Sequence, residues 1–192
     1  LLAIIVYFKK DIFNFKKNRN ILLNILISSI PTIVIGFLLV KFSLIDYLRD
    51  FKLIGWTTII FAILLYFSDL KKTKQKIAKN YNYKTAIYIG FFQVLSLIPG
   101  VSRSGITITG ARIFNFSRAD SAKISFLMSI PILGIVSIYN LQNLIIQNNL
   151  TLSFLNLYST VLSFIFSYLT IKFFLSFLKK YSLTYFVTYR IF

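Results

Sequence analysis

Apolar runs close to or beyond the length that crosses a bilayer, separated by short loops rich in lysine, constrain this chain more than any other feature. Residues 21–42, 53–68, 119–142 and 154–178 are such runs. A helix rises about 1.5 Å per residue, so about 20 apolar residues cross a hydrocarbon core of roughly 30 Å. The composition agrees: 57% of the 192 residues are hydrophobic, above the roughly 45–50% of soluble domains. The formal net charge is +17, from 22 Lys and Arg against five acidic residues, every one an Asp. A basic excess of this size would suit a nucleic-acid partner. Long runs of Ile, Leu and Phe do not belong to a soluble nucleic-acid binder, so a membrane is expected and nucleic acid is not. The chain contains no His, Cys or Glu. That removes a histidine base, a cysteine nucleophile, a His/Cys zinc site and a disulfide frame. The expectation is an all-α polytopic membrane protein, with residues 1–192 as a single integral membrane domain.

Both ends read as truncated spans. The chain opens at Leu1 inside an apolar run that closes at Phe8, and it stops at Phe192 just after another run has begun at about 183. Eight residues rise only about 12 Å as a helix, too little to cross. The opening run has no charged leader and no small-residue cleavage site, so it is not a signal peptide.

Loop charges set the orientation. Residues 9–20 carry Lys9, Lys10, Lys16, Lys17 and Arg19 against Asp11 alone. Residues 69–84 carry Lys71, Lys72, Lys74, Lys76, Lys79 and Lys84. The loop at 43–52 is nearly balanced. The positive-inside rule puts the first two in the cytoplasm and the third outside. The stretch 85–117 is exceptional. It has 33 residues, too many for one span, and Pro99, Gly100, Arg103 and Gly105 lie in its middle. Proline removes a backbone donor and pushes the preceding residue off helical geometry. Two half-length helices joined by Pro-Gly-Val-Ser-Arg-Ser-Gly fit better than one helix. If the stretch crossed once, Lys179 and Lys180 would lie outside. If it dips in and returns, Arg118, Lys123, Lys179 and Lys180 are cytoplasmic and the loop 143–153, without Lys or Arg, is outside. The second arrangement obeys the rule at every loop, so a re-entrant hairpin is expected.

The hairpin tip is the candidate site. An arginine at membrane depth costs several kcal/mol unless paired, and it marks a functional site by default. The five Asp lie in or next to loops, so the partner of Arg103 is either another segment or an anionic ligand. Gly100 and Gly105 permit close backbone approach. Ser102, Ser104 and Thr107 supply hydroxyls. A helix starting near Ser104 points its unbonded N–H groups at the loop. Arg103 adds a forked donor that matches phosphate oxygens. This is a phosphate-sized pocket inside a bilayer, and a lipid with a phosphate or diphosphate head suits it. The plainer alternative is that Ser102 to Thr107 only cap a broken helix while Arg103 pairs within the protein. Gln93 either faces the same cavity or makes an interhelical hydrogen bond, and the second is the plainer reading. Arg112 and Arg118 are expected to neutralise the cytoplasmic face. Met128, Pro131 and Gly134 are expected to pack or kink.

The string FQVLSLIPGVSRSGITITGA at 92–111 closely resembles the second signature of the undecaprenyl-diphosphate phosphatases, the bacitracin-resistance proteins. That signature runs Gln, small or apolar residues, then Pro-Gly-x-Ser-Arg-Ser-x-x-Thr, here Gln93 and Pro99 to Thr107. Residues 117–133 look like a further family stretch, with Ile124 in place of one Phe. The segment 172–190 also looks right, so the resemblance covers nearly the whole chain. It implies a multi-pass enzyme of the bacterial inner membrane. That enzyme hydrolyses undecaprenyl diphosphate to the monophosphate and inorganic phosphate, recycling the carrier lipid for the cell wall and conferring bacitracin resistance. It implies inverted repeats, each with a re-entrant helix pair, of which half would be visible here and the other half truncated. It also implies a divalent cation, Mg2+ or Ca2+, and an isoprenoid diphosphate lipid as substrate, and it leaves room for a homodimer.

Carried over residue by residue, Arg103 would hold the diphosphate, Ser102 would be nucleophile or phosphate ligand, and Thr107 a further phosphate-side hydroxyl. Gly100, Ser102, Arg103, Ser104, Gly105 and Gln93 make up the candidate substrate-binding set. The family's first signature, rich in Glu and closed by a His, is absent from this chain and belongs upstream of Leu1. With it would go the metal ligands, so no metal site is expected here, and the 192-residue chain alone is expected to be inactive. A transporter or flippase of an anionic isoprenoid lipid is the alternative, because broken helices and midplane anion sites serve transport too. A degraded gene fragment is the third reading.

Overall fold

A computed structural model describes residues 1–42, 50–71, 75–146 and 154–191. Most of the balanced loop 43–52, three residues of the lysine-rich loop and most of the uncharged loop 143–153 therefore fall outside the described residues. The described chain is helical: α1 (Leu2–Tyr7), α2 (Lys9–Phe13), α3 (Phe15–Lys41), α4 (Phe51–Leu70), α5 (Ile77–Asn80), α6 (Tyr83–Val94), α7 (Arg103–Ile113), α8 (Arg118–Ile146), α9 (Phe154–Lys180) and α10 (Thr184–Ile191). Within α3, α4, α8 and α9 lie four stretches long and apolar enough to cross a membrane, at Asn18–Lys41, Phe51–Leu70, Arg118–Asn143 and Phe154–Lys180. They match the four apolar runs read from the sequence. Their outer surfaces expose Phe37, Trp56, Phe67, Phe154, Phe166 and Phe173, which suits contact with lipid rather than water.

The stretch after the second span breaks into two short helices, as expected. The 12 residues of α6 and the 11 of α7 rise only about 18 and 17 Å. Helix α6 starts at a capping box: Thr85 N–H donates to Asn82 Oδ1 at 3.0 Å, and Asn82 N–H donates to Thr85 Oγ1 at 3.1 Å. It tightens into a 3-10 turn at Leu95–Leu97, and Ile98, held extended before Pro99, ends it. Gly100 then takes the left-handed φ of 88°. Helix α7 opens at Ser102, whose Oγ accepts from Gly105 N–H at 3.2 Å.

The two legs return to one face. Gln75 N–H donates to Asn115 O at 3.1 Å and Ser117 N–H donates to Gln75 O at 3.2 Å, tying the segment that leads into α6 to the segment that leaves α7. The pair packs leg against leg and lies on α3, α4 and α8. The α6 leg meets α3 tightly at Gly90, where a Cβ would stand 2.3 Å from Ser28 O.

A buried carboxylate organises that same face, which the sequence reading did not foresee. Asp69, in the last turn of α4, is 4% exposed. It accepts from Arg118 Nε at 2.7 Å and from Leu183 N–H at 2.9 Å, and it lies 3.3 Å from Arg112 Nε. Arg112 also donates to Phe116 O at 2.9 Å, to the Asp69 carbonyl at 3.1 Å and to Lys71 O. One side chain thus joins α4, the end of α7, the start of α8 and the lead into α10. Arg112 is not a solvated neutraliser of the cytoplasmic face but an internal partner, drawn inward because Asp69 is there to meet it.

Asp69→Asn leaves the Arg112 charge buried with a weaker partner and should cost about 3–5 kcal/mol. Arg118→Gln, at a site one-third exposed, should cost about 1 kcal/mol or less. Denaturant unfolding in detergent checks both, and equal losses would contradict a buried hub. At the turn, a Cβ on Gly100 would stand 2.2 Å from Thr57 Oγ1 and 2.5 Å from Ile54 O. Gly100→Ala should therefore lower stability by about 2–4 kcal/mol, from left-handed strain and overpacking together. Gly134→Ala in α8, where a Cβ meets nothing within 4 Å, should leave the melting temperature unchanged or slightly higher.

Candidate functional site

The turn between α6 and α7 has irregular backbone, and its carbonyls need donors. Helix α4 supplies one through Thr57, whose Oγ1 lies 2.7 Å from Pro99 O; Thr58 Oγ1 stands 3.2 Å from Gly100 O but nearer, at 2.7 Å, to Ile54 O of its own helix. Arg190 of α10 supplies another, with Nη2 donating to Gly100 O at 2.8 Å. Thr57 stands six residues beyond Phe51, so the tip meets α4 only about 9 Å below the end of α4 opposite Asp69.

Arg103 is the first residue of α7, directly after the capping serine. It is partly buried, and its Nη1 atom is buried with no hydrogen-bond partner. Among the described residues it has no ion pair. The alternative in which Arg103 is paired within the protein therefore finds no support among the described residues. A buried cation with a vacant donor leaves a strong drive for an anion. The first turn of α7 adds its own partial positive charge on the same side. Ser102 and Ser104 stand side by side there, with 3.3 Å between their hydroxyl oxygens.

Gly100, Ser102, Arg103, Ser104 and Gly105 are thus brought together. Thr107 lies one turn further on and is 1% exposed. Its Oγ1 is 2.8 Å from Arg103 O and 2.6 Å from Ser125 Oγ of α8, so it ties the arginine-bearing turn to α8. Gln93 is fully buried in α6, and neither its amide oxygen nor its amide nitrogen has a partner. Among the described residues the interhelical hydrogen bond favoured for it from the sequence is not made.

Three residues of this neighbourhood escaped the sequence reading: Thr57, Thr58 and Arg190. The signal for the threonines was a polar pair inside the apolar run of α4. For Arg190 it was a charge only six residues into the last apolar segment. A polar group at such a position needs a partner, and here the partner is the turn.

The donor set at the turn does not fit a divalent cation. Among the described residues no three His, Cys, Asp or Glu side chains gather. The described carboxylates are engaged elsewhere: Asp69 at the hub, Asp11 with Lys123, Asp50 capping α4 and Asp120 in the first turn of α8. The turn is a place for an anion. A cavity of about 570 Å³ lined in part by Asp69, Lys71, Arg118 and Lys179 lies at the opposite end of α7, away from Arg103.

Known proteins resemble this chain along its whole length. The family model described as "Bacitracin resistance protein BacA" matches residues 1–192. An undecaprenyl-diphosphatase of Pelagibacter ubique (strain HTCC1062) is 48% identical over 192 residues, covering all of this chain and 75% of the relative. The one from Saccharophagus degradans is 36% identical over 203 aligned residues, covering all of this chain and 76% of the relative. The one from Prochlorococcus marinus (strain AS9601) is 34% identical over 206 aligned residues, with 75% of the relative covered. These relatives carry a hydrolase name, and the transporter reading draws nothing from them. The family match along all 192 residues places the chain in the bacitracin resistance protein BacA family.

Proposed function

We propose that this protein hydrolyses undecaprenyl diphosphate to undecaprenyl phosphate and inorganic phosphate in the bacterial inner membrane, and that the α6–α7 turn holds the diphosphate head. The observation that carries the reading is the buried Nη1 of Arg103, a cation donor with no partner on a broken helix at membrane depth. The family membership and the names of the relatives support the same reaction. A phosphatase for a lipid substrate must meet its headgroup at the membrane, and this turn is where the described chain presents an unmatched positive charge.

In the reaction, the bond between the terminal phosphorus and the bridging oxygen breaks, and water supplies the new oxygen of the released phosphate. Arg103 and the first N–H groups of α7 grip the phosphate oxygens. They match negative charge that builds on the leaving monophosphate and the transferring group. Ser102 Oγ accepts from Gly105 N–H and lies against Ser104 Oγ. Among the described residues no base contacts it, and a serine hydroxyl without a base is a poor nucleophile. Ser102 is therefore assigned here to ligating phosphate and capping α7. Thr107, bonded to Ser125, keeps that first turn in place against α8. A divalent cation, as the family resemblance implies, would have to find its carboxylates away from this turn, so Arg103 and the α7 N–H groups do the gripping here.

Phosphate release from farnesyl or undecaprenyl diphosphate by the intact protein in detergent tests the reading. Arg103→Ala should lower kcat/KM by about 100- to 1000-fold, the scale of losing a charge-assisted grip on the transition state, with the melting temperature preserved. Unchanged turnover would remove Arg103 from the phosphate site. Ser102→Ala should lose less than Arg103→Ala if Ser102 only ligates. Loss equal to that of Arg103→Ala would instead argue for attack by Ser102 itself.

A further inference from the structure

We propose that the cavity at the Asp69 end of the molecule binds the phosphate-bearing headgroup of an anionic phospholipid, at a site apart from the α6–α7 turn. The cavity, about 570 Å³, opens between the end of α4, the start of α8, the end of α9 and the start of α10. Four cations line it, Lys71, Arg112, Arg118 and Lys179, with Asp69 the one carboxylate on the lining. Asp69 is taken up by Arg112 and Arg118. Among the described residues no carboxylate pairs with Lys71 or Lys179. The hydroxyls of Ser182 and Thr184, also on the lining, make no hydrogen bond to the described residues. Arg118 gives Nε to Asp69 at 2.7 Å and keeps both Nη groups for another acceptor.

Lysines at the ends of spans often do no more than orient the chain. These two instead converge on a hollow, beside a guanidinium and two vacant hydroxyls. Like charges gathered around one hollow repel each other until an anion enters. The hollow falls within the size range of small-molecule sites, roughly 300–1,000 Å³. A single inorganic phosphate would leave most of it unfilled, whereas a phosphodiester with its glycerol occupies far more. Leu70 and Leu178 on the lining offer apolar surface to the first carbons of the acyl chains. The level is right as well. Two spans, α4 and α9, end here at Leu70 and Lys180, where a membrane presents its headgroups. Basic pockets between spans at that level suit anionic lipid heads. A lipid held there would tie α4, α8, α9 and α10 together around the Asp69 hub.

Melting of the intact protein in detergent micelles doped with phosphatidylglycerol or with phosphatidylcholine tests the site. Phosphatidylglycerol at roughly ten times its dissociation constant should raise the melting temperature by about 3–6 °C over phosphatidylcholine. Added salt should shrink that gain. The double variant Lys71→Gln with Lys179→Gln should melt like the wild type in phosphatidylcholine and gain less than about 1 °C from phosphatidylglycerol. A control, Lys9→Gln with Lys10→Gln, removes the same charge from exposed positions near the start of α8, where Asp11 meets Lys123. It should keep most of the gain. A gain that survives in the Lys71/Lys179 variant, or that falls equally in the control, overturns the cavity as the site. Inorganic phosphate at matched ionic strength should give no comparable shift. If it gives the full shift and phosphatidylglycerol adds nothing, the occupant is free phosphate and the lipid assignment is wrong. Native mass spectrometry of the wild type supplies a readout that needs no variant. One phosphatidylglycerol should stay bound at detergent-stripping energies that remove phosphatidylcholine, and equal loss of both lipids overturns the proposal.

Discussion

Backbone that leaves the helix inside a bilayer has to be clothed by other protein, and much of this structure follows from that requirement. Pro99 and Gly100 break the apolar stretch, and the carbonyls they expose are met by Thr57 of α4 and an arginine of α10. Those partners fix where α4 and α10 must lie. Once they are in place, the start of α7 is aimed into the membrane with Arg103 at its head. The fold thus converts a local defect, one missing N–H and one left-handed glycine, into a directed positive site. The same elements meet again at the far end of the hairpin, where Asp69 holds α4, α7, α8 and the lead into α10 together.

The spans were legible because their signal is length and hydropathy, which need no knowledge of packing. The hairpin was legible because it joins two independent signals: a proline and glycine at the middle of an overlong apolar stretch, and loop charges that balance only if the stretch returns. Arg103 stood out for its depth. The Asp69 hub was not legible, since an aspartate at the end of a span looks like the first residue of a polar loop. Only the approach of Arg112 from 43 positions away reveals it as internal. Arg190 was hidden for a related reason: it lies 90 positions from Gly100, and nothing local marks the two as neighbours. Gln93 shows the opposite case. Its burial was readable from the apolar residues around it, but whether its amide finds a partner depends on the facing helix, and here it finds none.

Thr107 illustrates how a motif and a structure divide the work. The spacing from Pro99 to Thr107 groups four polar residues within a few positions, yet α7 begins between them. Ser102 and Ser104 stay at the open end of the helix. Thr107, one turn on, faces α8 and Ser125. Helical geometry separates by direction what the linear string places side by side.

The short bridge between Gln75 and the 115–117 segment has a mechanical consequence. With both legs knotted together where they leave the membrane, the hairpin is a loop of fixed girth that cannot be drawn out or pushed deeper one leg at a time. Spreading the legs would have to undo both backbone hydrogen bonds of Gln75, and the Asp69 ion pairs with Arg112 and Arg118 brace the exit from α7 as well.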